Sequence, residues 1–113
     1  GAGGRVLVPA VSFAKVTAGT VMKVYFAQID QTWAQAQFNY GDWSGIAFSL
    51  FDTTMVPTDI YGWSFESRVM ELTLTQEILD NIQAKQGDCE DQTNVGIIIQ
   101  GSDLTFTKIT IVN

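Results

Sequence analysis

The chain has 113 residues, 46% of them hydrophobic and 16% charged, which is one domain's worth of sequence with enough apolar content for a single core and excludes intrinsic disorder. Six basic side chains against twelve acidic ones give a formal charge of −6, so nucleic acid and anionic membrane surfaces are repelled at long range and a neutral or cationic partner is favoured. No apolar run reaches the roughly 20 residues of a membrane span, and with no histidine the side chain most used for acid–base catalysis and metal ligation is missing.

The opening Gly1-Ala-Gly-Gly4 reads as a linker, leaving one domain from residue 5 to residue 113. Strand signals dominate from there: Val6–Val8, Val11–Val16, Thr20–Ile29, Thr32–Phe38, Gly45–Asp52, Ile60–Phe65, Arg68–Leu74, Val95–Gln100 and Thr105–Val112 are β-branched or aromatic stretches. Turn residues such as Ala18-Gly19, Tyr40-Gly41-Asp42 and Gly101-Ser102-Asp103 separate them at a spacing that favours short antiparallel strands over βαβ units. The expected fold is an all-β, jelly-roll-like sandwich of two antiparallel sheets. One short helix interrupts it over 76–84, where Thr75 supplies the N-cap, Ile78, Leu79 and Ile82 fall on one face, and Gly87 stops the run. The following GDCEDQTN, 87–94, reads as a polar acidic loop. Pro9 and Pro57 sit where edge strands or loops tolerate them.

Period-two alternation assigns faces, and TWAQAQFNY, 32–40, is the most informative segment. Ala34, Ala36, Phe38 and Tyr40 suit packing against a second sheet, while Trp33, Gln35, Gln37 and Asn39 fall on the other side. Charged residues or threonine would solubilise such a face. A tryptophan beside uncharged amides is instead suited to a neutral polyhydroxylated ligand, the indole offering a flat plate to a pyranose ring and each amide both donors and acceptors to its hydroxyls. A solvated glutamine ladder with Trp33 as a rim residue is the alternative. Tyr25 would join the same platform if its strand lies beside this one. Trp43, between Gly41 and Gly45, reads first as a buried ring and second as a nearby aromatic of the site. Tyr61, Trp63 and Phe65 share one face, as a second aromatic wall or as core. Met70, Leu72 and Leu74 point inward in one strand, and Ile109 and Ile111 in the last. Gln100 shares a face with Ile98 and would be a buried, hydrogen-bonded amide.

Catalytic readings find little support. Asp42, Asp59 and Glu66 are the carboxylates near aromatics, and no motif pairs them as a glycosidase requires. Ser44 and Ser64 lack the nucleophile-elbow pattern and a histidine to activate them. Asp88, Glu90 and Asp91 crowd one loop as oxygen ligands for a structural calcium would, without EF-hand spacing, so no cofactor is expected. The single cysteine, Cys89, rules out an intramolecular disulfide, and its acidic neighbours disfavour the thiolate.

The strand TVMKVYF, then WAQAQFNYGDW, MELTLTQEILDNI and above all the closing NVGIIIQGSDLTFTKITI together resemble the β-sandwich carbohydrate-binding modules appended to secreted or cell-surface glycanases of anaerobic gut and rumen bacteria. The resemblance spans roughly residues 5–112. It implies a non-catalytic module that binds a polysaccharide by stacking and amide hydrogen bonds and targets an attached glycoside hydrolase outside the cell; the charge of −6 and the neutral amides point to a neutral β-glucan, cellulose-type, mixed-linkage glucan or xyloglucan, bound by a monomer. Trp33, Gln35 and Gln37 match the stacking and amide pattern of such modules directly, Trp43 and Trp63 only as nearby aromatics. An immunoglobulin-like spacer whose aromatics are all core is the competing reading.

Overall fold

The computed structural model describes residues 3–28, 35–52, 56–57, 63–64, 69–102 and 104–112. Its strands are β1 (Gly3–Pro9), β2 (Val21–Gln28), β3 (Gln35–Tyr40), β4 (Val56–Pro57), β5 (Trp63–Ser64), β6 (Val69–Thr73), β7 (Gly87–Cys89), β8 (Gln92–Ser102) and β9 (Leu104–Val112). The helix α1 (Gln76–Ala84) lies between β6 and β7.

Two antiparallel sheets make a β-sandwich. In the first, β8 runs between β1 and β3, and β7 also pairs with β8. In the second, β2 runs between β6 and β9; β4 and β5 pair separately. Alternation in each strand builds the layer between the sheets. Met22, Val24 and Phe26 of β2, with Met70 and Leu72 of β6, meet Ala36, Phe38 and Tyr40 of β3 and Ile97 and Ile99 of β8 in one core. Each large side chain sealed there contributes on the order of 1.5–3 kcal/mol relative to exposure. Phe51 packs on Phe38 with ring centroids 4.6 Å apart.

The helix closes one end of the core. Thr75 caps it by accepting a hydrogen bond from the Ile78 amide at 3.2 Å, and Ile78, Leu79 and Ile82 enter the core, as the 3.6-residue pattern predicts. Gly96 permits this packing, because a Cβ there would lie 2.8 Å from both Ala10 Cα and Ile82 Cγ2.

Several sequence expectations are corrected. β1 starts at Gly3, inside the segment read as a linker, with Gly3 and Gly4 opposite Ser102 and Gly101. The stretch 11–16 is not a strand. Pro9 lacks an N–H, and Ala10–Phe13 forms a 3-10 turn whose buried members, Ala10 and Phe13, lie three residues apart, leaving Val11 exposed. The stretch 45–52 is not a strand either. Gly45 makes an isolated bridge to Asn39, and the chain then curls into a 3-10 turn at Phe48–Leu50 before Asp52 donates its amide to the Glu71 carbonyl. The polar loop read at 87–94 is a β-hairpin, β7–β8. Cys89 is drawn into a small apolar cluster with Val95, Ile98 and Leu7, and Glu90 and Asp91 turn the corner at φ 50° and 65°. Such turns normally use asparagine and glycine, so this hairpin carries no composition signal.

Candidate functional site

The outer face of the first sheet is built by the residues that alternate with the core. On β1, Val6 and Val8 pack on the core and Arg5 and Leu7 point away; on β3, Gln37 and Asn39 alternate with Ala36, Phe38 and Tyr40. Antiparallel register then sets rows across the strands. Arg5, Gln100 and Gln37 stand side by side, and beside them Leu7, Ile98 and Asn39 form a second row. With strands about 4.8 Å apart, the polar row extends about 10 Å across the sheet. Gln37 and Arg5 are exposed and Gln100 is half-buried. Gln100 does share a face with Ile98, as read from the sequence, but as part of an open polar row rather than as a sealed amide.

The second row is closed to solvent. Ile98 is fully buried, and Asn39, 2% exposed, leaves its Nδ2 without a hydrogen-bond partner among the described residues. The amide row proposed from alternation therefore presents Gln37 and stops short of Asn39.

Trp43 stands on the turn that follows β3. The Tyr40 amide donates to the Ser44 carbonyl at 2.8 Å and the Trp43 amide to the Tyr40 carbonyl at 3.0 Å, closing a hairpin loop over Gly41, Asp42 and Trp43. Such loops place their third residue in the left-handed region, a position usually taken by glycine, and Trp43 occupies it at φ 72°. The expectation of a buried ring is corrected: Trp43 is 43% exposed. Asp42 stiffens the loop by accepting from the Ser44 hydroxyl at 2.5 Å and the Ser44 amide at 2.9 Å, bonds that hold its carboxyl below the ordinary aspartate value.

Across β8 the indole meets Arg5, whose Cζ lies 5.2 Å from the ring centroid. Arg5 Nη1 in turn donates to Glu90 Oε1 at 3.0 Å. Sequence reading missed Arg5. Its alternation with Val6 was visible, but the placement of β1 beside β8 was not. Glu90, considered there as a calcium ligand, is engaged by Arg5, and among the described residues no cluster of three or more acidic or cysteine side chains is arranged to hold a metal.

Tyr25 belongs to β2 in the opposite sheet, half-buried beneath Lys108 Nζ at 4.6 Å, so it shares no face with β3. Trp33 and Tyr61 lie outside the described residues. For Gln35 and Trp63 the backbone pairing is defined, Gln35 opposite Ser102 and Trp63 opposite Pro57.

No family model matches the sequence, and no curated protein matches it. Among solved structures the chain is similar to SGBP-B of the Bacteroides ovatus mixed-linkage glucan utilization locus, solved in complex with a mixed-linkage heptasaccharide. The two are 26% identical with a TM-score of 0.59, over 94% of this chain and 22% of that one. The chain thus spans about a fifth of the length of that neighbour.

Proposed function

We propose that this domain is a non-catalytic binding module for a neutral β-linked glucan, and that the outer face of the β1–β8–β3 sheet is its binding surface. The observation that carries the reading is the polar row beside an exposed indole: Gln37 and Gln100 cross the sheet next to a tryptophan held outward on a tight turn. Two uncharged amides and a flat apolar ring are the groups that recognise vicinal hydroxyls and the C–H face of a sugar. The likeness to a protein solved with a mixed-linkage heptasaccharide supports the same ligand class.

By the two-residue alternation of the sequence alone, Trp33 and Gln35 are further candidates for the same ligand as Gln37. The one cation in the row, Arg5, is paired with Glu90, so the row itself is close to neutral, and the net charge of −6 disfavours acidic polysaccharides. Each stacked ring contributes on the order of 1 kcal/mol beyond the apolar area it buries, and each amide about as much in net hydrogen-bond free energy, against the ordering costs of association. The module acts as a monomer outside the cell, and it holds the polypeptide that carries it, a glycoside hydrolase or another glycan-capturing protein, on the polymer.

Native gels cast with barley β-glucan, xyloglucan, hydroxyethylcellulose, xylan or polygalacturonate test this. Retardation is expected in the neutral glucans and absent in polygalacturonate. Migration unchanged in every gel would leave the face without a glycan and favour a spacer domain.

A further inference from the structure

We infer that Arg5 is a positioning residue for the glycan face: its guanidinium holds the Trp43 indole in the orientation that a sugar ring meets, and Glu90 holds Arg5. This rests on the glycan reading above and adds to it a role for Arg5 beyond its place in the polar row.

The geometry is a relay of three side chains from three separate segments. Arg5 comes from the edge strand β1, Trp43 from the turn after β3, and Glu90 from the turn between β7 and β8. The guanidinium carbon lies 5.2 Å from the indole centroid, and the same side chain donates to Glu90 at 3.0 Å. Both partners reach Arg5 from left-handed backbone, Trp43 at φ 72° and Glu90 at φ 50°, followed by Asp91 at 65°. Residues with a Cβ adopt that region at a cost and persist there when the surroundings enforce it. Here two unfavourable turns converge on one guanidinium.

The consequence for binding is pre-organisation. An indole on an exposed turn has two torsions to lose when a ligand stacks on it, and a flat cation lying over the ring removes part of that freedom beforehand. The guanidinium also covers one face of the ring, which leaves the opposite face to a ligand. A planar guanidinium can stack and keep N–H donors for Glu90 at once; an ammonium group, a compact point charge, does so poorly. Because the Arg5 and Glu90 side chains are 40% and 52% exposed, their ion pair is screened by salt and acts mainly by orienting Arg5.

The test is calorimetric titration of the full chain with a mixed-linkage glucan heptasaccharide, using Arg5→Lys, Arg5→Ala and Glu90→Gln, with Trp43→Ala as reference and thermal melting as a control of folding. Arg5→Lys and Arg5→Ala should each weaken binding roughly threefold to fivefold, and Glu90→Gln about twofold. Incorporated 5-fluorotryptophan supplies a readout that a purely structural role would not move. The Trp43 resonance, assigned by its loss in Trp43→Phe, should shift toward an averaged position in Arg5→Ala while the melting temperature stays put. Arg5→Lys binding like wild type, or Arg5→Ala binding more tightly, would overturn the inference and leave the glycan reading intact. Absence of binding by the wild type would defeat the glycan reading and this inference with it.

Discussion

Gly41 and Gly87 meet backbone against backbone where β3 ends and β7 begins along the same side of β8. A Cβ on Gly41 would collide with the Val95 carbonyl and lie 2.6 Å from the Gly87 nitrogen, and a Cβ on Gly87 would collide with the Gly41 carbonyl. This junction is the base of the turn that carries Trp43, so it links the packing of the sheet to the pose of the exposed indole.

Gly41→Ala should therefore destabilise the domain by about 3 kcal/mol, the upper end for overpacking, because the obstructing atoms are backbone that moves only with its strand. Gly45→Ala is the control: among the described residues no atom beyond its chain neighbours lies within 4 Å of its Cβ position, and its stability should change by less than about 0.5 kcal/mol. Urea unfolding of the two variants separates these outcomes.

The Asp42 carboxyl is held below its ordinary value by the Ser44 hydroxyl and amide. A group whose folded pKa is depressed lends its stabilisation fully above the unfolded value and loses it as pH falls through the folded one. The Trp43 turn should stay closed as pH falls to the ordinary aspartate value of 3.8, and loosen only below it. Tryptophan fluorescence followed through acid titration checks this, and Asp42→Asn should remove the acid step.

Asn39 buries an amide nitrogen that has no partner among the described residues. Leaving such a group unsatisfied costs about 1–3 kcal/mol, whereas an apolar group of similar shape has nothing to satisfy. Asn39→Leu should leave stability unchanged or raise it by about 1 kcal/mol in urea unfolding, and should leave glycan binding in place. A clear loss of stability would mean that the amide is paired.

How far these features were legible in the sequence depended on the distance over which each is decided. The helix Gln76–Ala84 and its Thr75 cap rest on neighbours within one or two turns, and they stand as read. The inward sides of β3 and β6, with Phe38 and Met70, needed only alternation within a strand. The stretch 11–16 misled because its β-branched residues are those of a strand while its buried members, Ala10 and Phe13, follow a three-residue spacing. The face itself was half visible: Gln37 followed from alternation, but Arg5 and Glu90 are 85 positions apart and meet only through sheet topology. Trp43 was read as buried because flanking glycines suggest a crowded ring. Gly41 is indeed crowded, but by Gly87 and Val95 rather than by the indole.

In the proposed function Gln37 and Gln100 hold a neutral glucan across β8. Titration of a mixed-linkage heptasaccharide into wild type and the Gln37→Ala/Gln100→Ala double variant, with melting temperature as a control, checks this. With each amide contributing about 1 kcal/mol, the double variant should bind roughly tenfold to thirtyfold more weakly than wild type while melting at the same temperature. Equal affinity in the two proteins would contradict the account and place the glycan on a different surface of the domain.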